Sequence, residues 1–157
     1  ERDSVHLIES LAIIQYLEQI QPVPSLCPQD PIERARVFAL CEIVNSGIHP
    51  IQNLPVLHYL SGDPAAQKKW AQHWIALGLG YYETLLAQYS DQYSGAAKFS
   101  YGDSLTMADL CLIPQVYNAL RYEVDMTAFP RVQSIYQHCL TLPTFTESHP
   151  DQFKPID

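Results

Sequence analysis

The sequence predicts an all-α fold. Three observations carry that expectation. Apolar residues recur three and four positions apart through most of the chain, as the buried stripe of a helix requires. No stretch is rich in alternating apolar and β-branched residues, and no internal repeat is visible. Asp30-Pro31 and Asp63-Pro64 each set a capping residue directly before a proline, which is a helix start.

Composition bounds the function. The 157 residues are 47% hydrophobic and 17% charged, enough for one domain with a sizeable core. The net charge is −8, and the nine lysines and arginines form no run, so nucleic acid and anionic membrane are poor partners. No apolar stretch approaches a membrane span, and no leader with a basic start and apolar centre is present. Four cysteines are widely spaced without a C-x-x-C; Cys111 and Cys139, inside apolar helical patterns, read as buried reduced thiols, and a cytoplasmic, reducing compartment fits best. The chain begins with Glu1 and enters a helix almost at once, the expectation being a piece of a longer protein.

Leu11, Ile14, Tyr16 and Leu17 predict an amphipathic helix over about 10–20, with Glu9 just before its positive end. Pro22, Pro24, Pro28 and Pro31 then forbid a helix and predict an extended linker over 21–30. From Pro31 a long apolar face follows (Ile32, Ala35, Val37, Phe38, Leu40, Cys41, Ile43, Val44). Gly47, Pro50 and Pro55 must bend or break that helix. An interior proline costs roughly 3 kcal/mol, so an irregular backbone here is expected to have a use. After Asp63-Pro64 a helix to about Tyr89 would bury Trp70, Trp74, Leu77, Tyr81, Leu85 and Leu86, with Gly78 and Gly80 permitting close helix approach. Residues 90–100 read as a loop. Residues 127–141 predict a helix with Pro130 in its first turn, 143–148 one more short turn, and 150–157 a polar tail.

Between these lies the stretch around which the chain is organised, Tyr101-Gly-Asp-Ser-Leu-Thr-Met-Ala-Asp-Leu-Cys-Leu-Ile-Pro-Gln115. Thr106 and Asp109 have capping-box spacing: the hydroxyl can accept the Asp109 N–H while the carboxylate accepts the Thr106 N–H. Leu105 and Leu110 can close a hydrophobic staple across the start. The run that follows is apolar on almost every side, predicting a central helix from 106 to about 122, kinked at Pro114.

Three constellations could bear chemistry. Glu9-Ser10 opens a helix, where free N–H groups and the hydroxyl can hold a carboxylate and Glu9 can accept from an ammonium. His49 sits in Gly-Ile-His-Pro-Ile-Gln-Asn-Leu-Pro-Val-Leu57, within the broken helix. Arg121 closes the central helix, where the negative helix end favours a cation. Each has a plainer structural reading, as a cap, a hydrogen-bonded loop histidine or a helix-end cation. No metal spacing, P-loop, G-x-S-x-G or G-x-G-x-x-G occurs, so no metal is expected.

Taken together, Gly-Asp-x-x-Thr-x-Ala-Asp at the start of a buried helix resembles the core-helix signature of glutathione transferases. Ala-Asp-Leu-Cys-Leu-Ile-Pro-Gln-Val-Tyr-Asn-Ala, Glu-Ser-Leu-Ala-Ile-Ile-Gln-Tyr-Leu-Glu and the His49 segment resemble the zeta class, the maleylacetoacetate isomerases. The resemblance runs from about Leu7 to Pro150, departing at Pro55 and at 61–67. It implies a C-terminal helical bundle over 31–149 with a tail at 150–157. Residues 1–20 would be the last helix of a truncated thioredoxin-like domain, and 21–30 the link between them. It implies glutathione as cofactor, held by Glu9, Ser10, His49, Asn53, Leu54 and Pro55; Pro55 has no N–H to offer. It implies Arg121 for the substrate's carboxylates, and Thr106 and Asp109 as a structural capping box. The reaction implied is cis–trans isomerisation of maleylacetoacetate to fumarylacetoacetate in tyrosine and phenylalanine breakdown, usually by a homodimer. The thiol-activating serine belongs to the absent domain, so no catalytic residue is expected in this chain and little activity from it alone. Conjugation of electrophiles, isomerisation of maleylpyruvate, and a non-catalytic helical interaction module are the alternatives.

Overall fold

The computed structural model describes residues 5–90 and 97–153. Among the described residues eight α-helices run in chain order: α1 (Ser10–Ile20), α2 (Pro31–Asn45), α3 (His49–Gln52), α4 (Leu54–Leu60), α5 (Pro64–Ser90), α6 (Met107–Arg121), α7 (Pro130–Cys139) and α8 (Pro143–Glu147). Two 3-10 turns, Met126–Ala128 and Pro150–Phe153, complete the set. An isolated bridge at Val5 is the only β-structure among the described residues. The fold is all-α, as the periodicity requires. Of the loop expected at 90–100, residues 91–96 lie outside the described residues.

The helix starts follow their caps. Asp30 accepts the N–H groups of Ile32 and Glu33 at 2.9 and 3.0 Å, and Pro31 takes the first position, where a missing N–H costs nothing. Asp63 accepts from Ala65 in the same manner. α7 lacks a side-chain cap of its own, and the Glu83 carboxylate of α5 reaches across to accept the N–H groups of Arg131 and Val132. Pro50 and Pro55 break the chain as expected, and each does so by starting a short helix in its first turn.

α6 lies at the centre and packs chiefly on α2. Nine of its fifteen residues are buried, so it has almost no solvent face; Pro114 falls on an exposed position and the helix continues through it. Its capping box is present. The strong arm is the carboxylate: Asp109 Oδ2 accepts the Thr106 N–H at 2.8 Å, and its other oxygen accepts the Ser100 N–H at 2.7 Å. The Asp109 N–H lies 3.1 Å from the Thr106 carbonyl, and the Thr106 hydroxyl donates to Oδ2 at 3.2 Å. Asp109 is fully buried; burial raises its carboxyl pKa and these hydrogen bonds oppose the rise.

Residues 21–30 hold no helix, yet they are fastened. Glu18 accepts the Leu26 N–H at 2.9 Å, and the Leu26 carbonyl accepts the first N–H of α6 from Met107 at 2.9 Å. The link thereby satisfies one of α6's orphan donors.

The inward face of α5 is only partly the one expected: Leu86 is buried and Trp70 and Leu85 pack against the core, but the rest of the stripe differs. Ala71, Ile75, Gly78, Leu79, Tyr82 and Leu86 are buried, whereas Tyr81 is 60% exposed and Leu77 39%. Small residues decide it: a β-carbon at Gly78 would overlap Ile48, so the α3 region lies directly on the α5 backbone there. Gly80 makes no such approach, its nearest neighbour being Phe129 at an ordinary distance. α1 departs similarly, since only Leu11 is buried and Leu17 and Ile20 are about half exposed.

Candidate functional site

The N-terminus of α1 and the α3 segment enclose a cleft of about 420 Å³ lined by Glu9, Ser10, Asn45, His49, Pro50, Gln52 and Asn53. Four expected site residues, Glu9, Ser10, His49 and Asn53, therefore meet across 40 residues of chain. Leu54 and Pro55 do not line this cleft; they occupy the first two positions of α4, with Leu54 62% exposed. Arg121 stands exposed at the end of α6, outside the lining. Six residues separate it from Gln115, about 9 Å along the helix axis.

Glu9 is the feature that packing does not explain. Its φ of 70° and ψ of 122° place a non-glycine residue in a sparsely populated region, and its side chain caps nothing. Such strain costs on the order of 1–3 kcal/mol and is concentrated where a backbone turn serves a ligand. Here the turn opens α1 onto the cleft with no side chain over the first-turn N–H groups. Those donors, the Ser10 hydroxyl and the positive end of an eleven-residue helix suit a carboxylate. The neighbouring Glu9 carboxylate suits an ammonium. The pair fits one amino-acid terminus of a peptide.

His49 is half-buried on the other wall, and burial lowers its pKa while the nearby Gln115 amide works in the opposite direction. The ring is thus favoured as neutral imidazole. Gln115 and Gln52 were not singled out by sequence reasoning. A signal existed: Gln115 is a polar residue inside the apolar run of α6, and it is fully buried.

The four cysteines are free and buried, away from this cleft. The neighbouring Cys111 thiol together with burial pushes the Cys41 thiol up; burial raises Cys139 to about 12. Burial likewise raises Cys27, so these three thiols stay protonated at neutral pH, whereas the Cys41 thiol beside Cys111 lowers the Cys111 thiol. Among the described residues no three His, Cys, Asp or Glu side chains could share a metal ion, and no helix is long and apolar enough to cross a membrane.

No family model matches the chain. It is 43% identical over 148 residues to probable maleylacetoacetate isomerase 1 of Drosophila melanogaster, which covers 94% of this chain and 57% of that protein. It is 41% identical over 157 residues to maleylacetoacetate isomerase of Rhizobium meliloti, covering 98% of this chain and 71% of the relative. A crystal structure of maleylacetoacetate isomerase from Anaeromyxobacter dehalogenans, with dicarboxyethyl glutathione and citrate in its active site, superposes with a TM-score of 0.88. That match has 41% identity and covers 99% of this chain and 69% of the solved one. The chain thus spans little more than half the length of the Drosophila protein and about seven-tenths of the other two. The fold and these relatives define a glutathione transferase. Within that class the chain belongs to the zeta family, that of the maleylacetoacetate and maleylpyruvate isomerases.

Proposed function

We propose that this chain is the helical part, with one wall of the glutathione site, of an enzyme isomerising maleylacetoacetate to fumarylacetoacetate. The observation that carries the reading is the convergence of Glu9, Ser10, His49 and Asn53 on one cleft, with Glu9 held at positive φ. The α1 terminus would hold the carboxylate of glutathione's γ-glutamyl end, Glu9 its ammonium, and His49 and Asn53 the peptide beyond. Leu54 and Pro55, just outside the lining, would flank that peptide. Bound glutathione supplies the thiolate nucleophile that cis–trans isomerisation of a conjugated double bond needs. Arg121 would pair with the substrate's carboxylates and give the acidic chain a local positive field. The dicarboxyethyl glutathione and citrate in the Anaeromyxobacter enzyme support an acidic substrate class of this kind.

By the same reading residues 1–20 belong to a thioredoxin-like unit, 21–30 link it to the helical domain of 31–149, and 150–157 form a tail. The half-exposed apolar side chains of α1 support this, since they form a face suited to a sheet. The thiol-activating group would come from that unit, leaving no catalytic residue here. The working enzyme would be a cytoplasmic homodimer.

Glutathione titration of this chain by calorimetry tests the half-site. Saturable heat, abolished in Ser10→Ala, is expected. No heat at millimolar ligand would remove Glu9, Ser10 and His49 from the binding reading.

A further inference from the structure

α3 is one turn long and has no side-chain cap, so its place depends on what the rest of the fold gives it. From α5 it receives two ties. Ile48, just before the turn, lies on the bare backbone of Gly78, and the Trp70 indole N–H donates to the Ile51 carbonyl at 3.0 Å. From α6 comes an amide pair: Gln52 Nε2 donates to Gln115 Oε1 at 2.8 Å, and Gln115 Nε2 donates back to Gln52 Oε1 at 3.3 Å. Gln115 is fully buried, whereas Gln52 is half-buried and lines the cleft with His49, Pro50 and Asn53. Stability does not account for such a pair. Two apolar side chains of similar shape would join the helices about as well, while one buried amide without its partner is costly. What the pair adds is register, since each amide gives the other one N–H and one carbonyl, and a shift of about 1 Å breaks that match.

We propose that Gln115 is a positioning residue for the cleft: through Gln52 it fixes the α3 turn on α6, and with it the wall formed by His49, Pro50, Gln52 and Asn53. Gln115 does not line the cleft, so it acts on a ligand only through that wall. The helix that holds the wall is also the one that ends at Arg121. The pair therefore sets the glutathione wall in a fixed place relative to the helix that carries the candidate substrate cation, which is what a reaction between two bound partners requires. The inference rests on the reading of this cleft as a glutathione site, but its first test needs no ligand.

That test is amide hydrogen exchange followed by NMR at Ile51 and Gln52, whose N–H groups donate to the Ile48 carbonyl at 3.1 and 3.2 Å. The variant is the double change Gln52→Met with Gln115→Met, which strands neither amide and should keep the urea midpoint near that of the parent. Exchange at Ile51 and Gln52 should become about tenfold faster, while Ile75 and Leu79 in the middle of α5 keep the parent rate. Unchanged exchange at Ile51 and Gln52 would overturn the proposal, because the ties from α5 would then suffice to place the turn. Equal speeding in α5 would overturn it too, as a general loss of stability. Should the double variant fail to fold, Gln115→Met alone, which leaves a Gln52 able to turn to water, must show the same local speeding. Glutathione affinity is the second readout. Gln115→Met changes no group that lines the cleft, yet it should weaken binding about tenfold by calorimetry. Parent-like affinity in folded Gln115→Met would reduce the pair to a fastening with no bearing on the site, and the proposal would fall. Failure of the parent to bind glutathione would strike the functional reading and leave the exchange rates to decide this one.

Discussion

Glu9 and His49 show what single residues give up for the site. Glycine tolerates the backbone of position 9, so Glu9→Gly should raise stability by about 0.5–1 kcal/mol in urea denaturation. The same change removes the carboxylate and should weaken glutathione binding, and that opposition is the mark of a residue kept for function. A fall in both would identify Glu9 as structural. For His49 the folded pKa lies below the ordinary 6.5 because the ring is buried. Between those two values the unfolded chain holds a proton that the folded chain does not, so stability must rise with pH across the window. It is fully present above about 6.5 and lost as pH falls through the folded value. Urea midpoints at several pH values in the parent and in His49→Gln check the sign; the rise should be smaller in the variant. Glu9-Ser10 and His49 were legible as polar residues at a helix start and beside a proline. The strain at Glu9 was not, because a φ angle depends on what the neighbouring helices demand.

The contact of α3 with α5 depends on the absence of a side chain at Gly78. Placing a methyl group there drives it into Ile48, which is fully buried and cannot swing into solvent. Gly78→Ala should therefore cost about 1–3 kcal/mol, although alanine is the better helix former. Ile48→Ala in the same chain should recover part of that loss, a coupling that a double-mutant cycle measures directly. Additive effects would show that α3 and α5 are not in register at this point. The starts of α2, α5, α6 and α7 were legible because caps and prolines act within one turn. The inward face of α5 was not. Ala71 and Gly78 mark where backbones approach, and that turns Leu77 and Tyr81 outward while Leu86 stays buried.

Across the whole molecule the exposed apolar surface is concentrated partly on α1, where Leu17 and Ile20 are 49% and 52% exposed and Leu11 is 8%. Replacing Leu17 with Gln and Ile20 with Lys should leave the melting temperature of this chain nearly unchanged, within the effect of ordinary surface changes. Leu11→Ala should cost about 2–4 kcal/mol. If the outer pair proved equally costly, α1 would be packed on both sides in solution. Some things the sequence determined by itself: the all-α class, the helix starts, the buried capping box of Thr106 and Asp109, and the break between α2 and α5. All of these rest on contacts a few residues long. The cleft, the inward face of α5, the reach of Glu83 to α7, and the Gln52–Gln115 pair were decided only by the tertiary structure. Each joins residues 30 to 63 positions apart, and no local period records which helix another will meet.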